Sequence, residues 1–187
     1  MKHILILIFS LFSLSVFEGK AAFAEPETNL SPELVEFGRQ FSGWTSQFGL
    51  SHYGSALQAS GGGVMFEYIP EGQTFDNWMG MSTITLFTPE SADPRIVKSY
   101  ADSFRSGSGQ YAPRILEQAN WVIRKKTMYY TEYLIGEGAE QEHNVSIVTT
   151  ANNGNIIVFQ VQGRKGTLSD AMITKFKEIM PKELANF

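Results

Sequence analysis

A short polar segment ending in tryptophan is the first stretch of this sequence whose residue types could do chemistry. Gln73 to Trp78 follows a strand-like run and reads Gln-Thr-Phe-Asp-Asn-Trp. A carboxylate and an amide beside an indole ring are typical of recognition surfaces, which combine an aromatic anchor with hydrogen-bonding groups. In the structural alternative, Asp76 or Asn77 bonds to backbone N–H groups of a turn while Trp78 packs into the core. We carry Asp76, Asn77 and Trp78 forward as candidate binding residues.

A second candidate combines bases with aromatic rings. Arg124-Lys125-Lys126 is followed by Tyr129, Tyr130 and Tyr133. Such a set could meet a phosphate, an acidic partner, a sugar or a lipid headgroup. Alternation along a strand would place Arg124 and Lys126 on one face and Lys125 on the other, which also describes an ordinary solvated strand face. The candidate binding residues here are Arg124, Lys126 and Tyr130.

Other catalytic and metal chemistries lack the residues they need. The chain contains no cysteine, which excludes thiol nucleophiles and cysteine-ligated metals. His52 and His143 are the histidines beyond residue 24, and no zinc-type spacing surrounds them. His143 stands in the polar run Glu140 to His143, which we interpret as a turn. No Gly-x-Ser-x-Gly motif is present. We therefore predict no catalytic residue, metal or cofactor, although carboxylates brought together by folding could still form an acid–base site.

The N-terminus predicts export. Lys2 and His3 precede an apolar run from Ile4 to Phe17, and Ala22-Phe23-Ala24 then supplies the small-x-small pattern of a cleavage site. A membrane span needs roughly 20 apolar residues, more than this run provides. Residues 1–24 are thus predicted to be a signal peptide cleaved after Ala24, and the mature protein to be periplasmic or secreted. No transmembrane segment is expected in residues 25–187.

The elements that would position these residues begin with helices and strands of ordinary length. Pro32 to Phe41 has helical spacing of apolar residues, whereas the glycine-rich residues 42–63 suggest an irregular wrap, with a short helix at 55–59 as an alternative. Val64 to Ile69 and Met79 to Thr88 predict strands. Asp93-Pro94 predicts the start of a second helix that ends near Gly107.

The second half of the chain predicts more strands and a last helix. Residues 106–120 suggest a loop with a possible helical turn near Pro113, and 121–135 one long strand. Asn153-Gly154 favours a type I′ turn between strands 144–151 and 155–162, which would place Val148 opposite Phe159 and Thr149 opposite Val158. Both faces of this hairpin carry apolar residues, so helices should cover both. Thr167 and Asp170 resemble a capping box for a helix that stops at Pro181.

Strands and helices in this order predict the α+β class, with an antiparallel sheet flanked by helices. The order over residues 64–180 resembles the Mog1/PsbP-like fold, an α/β/α sandwich. The stretch from Tyr68 to Trp78 is also similar to a segment of small uncharacterised exported bacterial proteins, in which a strand ends in a Pro-x-Gly turn. The resemblance implies a binding or assembly role rather than catalysis and supplies no catalytic residues for this chain.

These observations favour an exported, non-enzymatic binding or assembly module formed by residues 25–187 as a single domain. Its partner would be a protein or a small ligand. The net charge of −4 argues against nucleic acid as a partner. Two alternatives stay open: a small secreted hydrolase whose acid–base site is assembled by the fold, and a secreted factor that acts on a host.

Overall fold

The description of the structure rests on a computed structural model and covers six ranges of the chain. Those ranges are residues 32–50, 52–59, 63–87, 96–103, 112–138 and 141–187. The predicted signal peptide (1–24), the segment that follows it and the helix start predicted at Asp93-Pro94 lie outside them. Among the described residues, no helix is both long enough and apolar enough to cross a bilayer.

Seven strands in the described residues form one sheet in which every neighbouring pair is antiparallel. The strands are β1 (His52–Ala59), β2 (Gly63–Ile69), β3 (Gly80–Phe87), β4 (Arg114–Ile123), β5 (Lys126–Ile135), β6 (Glu142–Thr150) and β7 (Ile156–Arg164). Their order across the sheet is β1-β2-β3-β7-β6-β5-β4. Two meanders, β1 to β3 and β4 to β7, therefore meet where β3 pairs with β7.

Three α-helices in the described residues accompany this sheet. They are α1 (Pro32–Thr45), α2 (Ile96–Ser103) and α3 (Asp170–Asn186), and a 3₁₀ turn at Ser46–Phe48 follows α1. Residues of α1 and α3 pack on one face of the sheet, called here the α3 face, and α2 packs on the other, the α2 face. The fold class is thus α+β with helices on both faces of an antiparallel sheet, as predicted.

The α3 face holds the larger apolar core, and aromatic rings dominate it. Phe159 of β7 stacks on Phe176 of α3 with ring centres 5.5 Å apart, and Trp44 of α1 meets Phe159 edge-on at 6.2 Å. Phe159 and Phe176 are fully buried. Ring contacts of this kind stabilise beyond the area they bury. This core is what attaches α1 and α3 to the sheet.

The α2 face is apolar at one end and polar in its middle. Val97 and Ala101 of α2 pack with Val148 and Val158 of the sheet. Next to this cluster runs a line of buried polar side chains that the strand register places side by side across four strands. These residues, called here the polar row, are Thr83, Gln160, Ser146 and Thr131. Burying polar groups destabilises a fold unless they are hydrogen-bonded, so the polar row is an unusual feature.

Near the N-terminal end, the predicted first helix is present but longer, and the interpretation of residues 42–63 was wrong. The helix predicted at 32–41 continues to Thr45, and residues 52–59 form β1 instead of an irregular wrap or a helix. A register shift between Tyr53 and Ser55 places a bulge at Gly54 of this strand. Gly54 has no side chain and lies at a bulge. Both features interrupt the alternation of apolar and polar residues by which a strand is recognised from its sequence.

The strand predicted over 121–135 is a hairpin. The chain reverses at Arg124 and Lys125, whose φ angles are 51° and 68°, and β4 begins at Arg114 within the predicted loop. Positive φ is uncommon for residues other than glycine and asparagine, so Arg124 and Lys125 carry no turn signal. Arg124 therefore lies in a turn and does not share a strand face with Lys126.

The β6–β7 hairpin was predicted correctly, but its register was off by one residue. Val148 lies opposite Val158, and Thr149 lies opposite Ile157. The loop is longer than a two-residue turn: Gly154 N–H donates to Ala151 O (3.1 Å), and Gly154 takes the positive φ of 87°. Because alternation has a period of two, this shift exchanges which residues share a face.

The last helix also differs at both ends. Its N-cap is Ser169, whose Oγ accepts from Met172 N–H (3.3 Å), while the Thr167 hydroxyl donates to Arg164 O (2.8 Å). The helix passes through Pro181 and ends at Asn186. Asn152 N–H donates to Phe187 O (2.9 Å), which holds the turn beyond the proline.

Candidate functional site

The Asn77 side chain closes its own turn. Its Oδ1 accepts hydrogen bonds from Thr74 N–H (2.8 Å) and from the Thr74 hydroxyl (3.0 Å), and Asn77 N–H donates to Thr74 O (3.1 Å). Asp76 lies at the exposed tip of the same turn. The geometry is that of a side chain that satisfies local backbone groups.

Trp78 lies beneath an arginine. Its side chain is 6% exposed and packs with Ile69 and Met81. The Arg164 guanidinium lies 3.9 Å from the ring centre and donates to Glu142 Oε1 from Nε (3.0 Å) and Nη2 (2.8 Å). The indole face is thus covered by an arginine that a carboxylate holds in place.

Arg124 and Lys126 meet the C-terminal end of α3. Arg124 donates to Asn186 Oδ1, and Lys126 Nζ donates to the Leu184 carbonyl (3.3 Å). Partial burial lowers the pKa of Lys126. Basic groups at this end of a helix satisfy its last carbonyls and interact favourably with its dipole, so both residues contribute to docking α3.

Tyr130 is fully buried on the α3 face, and its hydroxyl donates to Glu132 Oε2 (3.0 Å). Burial first, and then the Glu132 carboxylate, raise the pKa of Tyr130. The six predicted binding residues therefore lie in three places. Asp76, Asn77 and Trp78 are in the turn before β3. Arg124 and Lys126 contact the end of α3, and Tyr130 lies beside Glu132 on the sheet. They do not converge.

Several charged or titratable side chains, which the sequence did not show to be neighbours, surround Glu132. His143 Nε2 lies 2.9 Å from Glu132 Oε1, and Lys177 Nζ of α3 lies 3.8 Å from Glu132 Oε2 and 2.5 Å from Glu117 Oε2. The side chains of His143 and Glu132 are 20% and 12% exposed. A carboxylate can only accept, so His143 donates through Nε2–H. Glu132 thereby fixes the orientation of the imidazole.

Of these residues, His143 borders a groove of about 280 Å³ on the surface of the protein. Leu116 of β4 and Leu134 of β5 form an apolar wall, while His143 and Lys165 supply polar groups. The described residues that line the groove are Leu116, Leu134, Gly138, Gln141, His143, Gly163, Lys165 and Gly166. This is the candidate functional site, and none of the six predicted residues lines it.

Three of the residues that line the groove are glycines. Gly163 is paired with His143 across β6 and β7, and a Cβ on it would lie 2.6 Å from Leu168 N. Gly138 and Gly166 have φ angles of 60° and 75°, which residues other than glycine rarely adopt. At these three positions the lining of the groove is backbone.

A β-bulge brings Leu116 to the groove. Ile115 pairs with Tyr133 and Glu117 with Glu132, so Leu116 is the extra residue of β4. Its side chain is 45% exposed. Bulges occur often at sheet edges and beside functional sites because they redirect one side chain. Sequence alternation could not reveal this leucine as a lining residue, since the bulge interrupts the period of two.

No sign of a metal centre accompanies the groove: within the described ranges, no three His, Asp or Glu residues are grouped as metal ligands. No family model matches this sequence, and no curated protein matches it.

Proposed function

We propose that this protein is an exported, non-enzymatic binding module that takes a small ligand in the groove at His143. The observation that carries the proposal is the cavity of about 280 Å³ bordered by an apolar wall and by polar side chains. Small-molecule sites combine apolar lining with a few fixed polar groups and start at about 300 Å³. The groove suits a ligand of amino-acid size.

The groove is better built for binding than for covalent catalysis. The lining residues that the structure describes include no serine, threonine or tyrosine. The Glu132–His143 hydrogen bond of 2.9 Å holds the imidazole in place, and pre-organisation raises affinity by lowering the entropy lost on binding.

Export and family resemblance complete the proposal. Residues 1–24 have the pattern of a cleavable signal, which favours a periplasmic or secreted location. An antiparallel sheet with helices on both faces is the layering expected of the Mog1/PsbP-like fold, whose members mostly bind or assist assembly. Fold analogy alone does not establish a function, so the groove supports the binding role and the N-terminus supports the location.

A fragment screen by ¹H–¹⁵N NMR tests the binding role. Binders should shift the amide signals of Gly138, Gly163 and Gly166, and Leu116→Trp should abolish these shifts by filling the groove. Val122→Trp is the matched control, because Val122 lies on the same strand and is 72% exposed. Binders that leave the three glycines unmoved, or that bind Leu116→Trp equally well, would refute the proposal. Mass spectrometry of the mature N-terminus from fractionated cells tests the location.

A hydrolase is the second candidate, and the Glu132–His143 pair favours it. A carboxylate that accepts from Nε2–H leaves the lone pair on Nδ1, where a histidine could act as a general base toward water. Chromogenic esters and glycosides would test this role. Turnover that His143→Gln eliminates without unfolding the protein supports a hydrolase, and the absence of turnover above the buffer rate removes it.

A further inference from the structure

We propose that the groove recognises a carboxylate attached to a short apolar group. This inference rests on the proposed function and specifies its ligand. Three features of the groove carry it: the sign of its charge, the position of its leucines and its size.

The charged side chain among the described lining residues is a base, whereas the protein as a whole is acidic. The chain has a net charge of −4, whereas the described lining residues include Lys165 and His143 but no aspartate or glutamate. A local field of this sign favours an anion over a cation. Within the lining, Lys165 supplies the charge and His143 a second polar group.

Two acidic residues on the strands that border the groove are already engaged. Glu132 contacts His143 (2.9 Å) and accepts from Tyr130 (3.0 Å). Glu142 accepts both hydrogen bonds of Arg164, at 2.8 and 3.0 Å. These carboxylates are compensated by their partners, so they oppose an incoming anion less than free carboxylates would.

The apolar half of the ligand is indicated by Leu116 and Leu134. Within the described ranges, the exposed large apolar side chains are Leu116 and Val122. Of these two, Leu116 borders the groove. Covering an exposed apolar side chain is favourable. Leu134 stands on the neighbouring strand and extends the same wall. An alkyl group placed here would lie beside the polar groups of His143 and Lys165.

The size of the groove suits a small acid or the end of a chain. A volume of about 280 Å³ corresponds to roughly nine water molecules at about 30 Å³ each. A free branched acid and the C-terminal residue of a peptide present the same chemistry, a carboxylate beside an aliphatic group. The two sources differ in whether backbone amides precede that residue.

A pair of probes that differ in the carboxylate tests the inference. N-acetyl-leucine should shift the amide signals of Gly138, Gly163 and Gly166, and N-acetyl-leucinamide should bind at least about tenfold more weakly. Lys165→Gln should weaken N-acetyl-leucine binding about tenfold at low salt. Lys98→Gln on α2 is the matched control and should leave the affinity unchanged, because Lys98 lies on the other face of the sheet and pairs with Asp102.

The outcomes separate the inference from the proposed function. Equal binding of the acid and the amide at the three glycines overturns the carboxylate class and leaves the groove as a site. Failure of both probes overturns the class as well, and the fragment screen then decides whether the groove binds anything. If the acid binds, 4-methylpentanoate and Gly-Gly-Leu identify the source: tighter binding of the peptide indicates a C-terminus, and tighter binding of the free acid indicates a small metabolite.

Discussion

The two faces of the sheet are both buried, yet they are built from different residues. Phe159 and Gln160 are neighbours in β7 and point to opposite faces, with 0% and 3% of their surface exposed. Phe159 contacts the rings of Trp44 and Phe176. Gln160 stands in the polar row, and its Nε2 donates to Tyr133 OH (2.5 Å) and to Asn144 Oδ1 (3.3 Å).

The difference teaches that burial alone does not decide residue type. The α3 face is stabilised by contacts that many atoms share. The α2 face depends on pairing its polar groups, and the pairing is incomplete: within the described ranges, the buried Gln160 Oε1 has no hydrogen-bond partner. Truncating a large apolar residue leaves a cavity and lowers the free energy of unfolding. Replacing a polar side chain that has no hydrogen-bond partner by an apolar one leaves that free energy nearly unchanged.

Phe159→Ala tests this comparison, and we expect it to lower the free energy of unfolding more than any other substitution considered below. Removing the ring leaves a cavity between β7 and α3, and such truncations lower the free energy of unfolding by about 3–5 kcal/mol. Urea denaturation followed by circular dichroism measures the change. A loss below about 1 kcal/mol would show that the α3 face is not tightly packed, and an altered denaturant slope would point to a changed unfolded state.

A smaller loss is expected from Gly163→Ala, at a residue that lines the groove on the α3 face. The added Cβ would lie 2.6 Å from Leu168 N, which is backbone, so the segment after β7 must shift. Overpacking of this kind lowers the free energy of unfolding by about 1–3 kcal/mol. Thermal denaturation measures it. Gly43→Ala is the control, since a Cβ there meets nothing within 4 Å; equal stability of both variants would contradict the packing.

Two threonines on the α2 face separate paired from unpaired polar groups. Thr83 Oγ1 accepts from Gln162 Nε2 (3.0 Å), so Thr83→Val leaves a buried donor without a partner. We expect a loss of roughly 1–2 kcal/mol. Thr85, two residues along β3, is 5% exposed, and no hydrogen bond of its hydroxyl is found within the described ranges. Thr85→Val should therefore change the stability by less than about 0.5 kcal/mol. Urea denaturation of both variants is the measurement, and equal losses would contradict the pairing argument.

The sequence predicted the elements with a clear period or cap, and it failed where the backbone departs from regular geometry. The spacing of apolar residues predicted the fold class and the presence of helices on both faces of the sheet. Asn153-Gly154 predicted the β6–β7 hairpin. The turn at Arg124 and Lys125 did not, because positive φ at these residues has no sequence signal.

The candidate site was harder to predict than the fold because it depends on register. Leu116 reaches the groove through a bulge, and His143 contacts Glu132 across two strands whose pairing the sequence did not specify. His143 also lies in β6 rather than in the predicted polar turn. By contrast, the turn at Asn77 is local, and its residue types alone predicted its hydrogen bonds.

The smallest effects are expected in that turn, and they sharpen the contrast between buried and exposed polar groups. Asn77→Ala removes two hydrogen bonds to Thr74 at an exposed position, so water replaces them and the loss should be about 0.5–1 kcal/mol. Asp76→Ala should change stability by less than about 0.5 kcal/mol, because Asp76 is exposed at the tip of the turn. Urea denaturation and ligand binding to the folded variants are measured together.

If Asn77→Ala lowers stability as much as Thr83→Val, exposure to water does not reduce the stability lost with a hydrogen bond, and the contrast between the two environments fails. If either variant stays folded but loses binding, the turn belongs to a recognition surface after all, because Asn77 would then do more than close its own backbone.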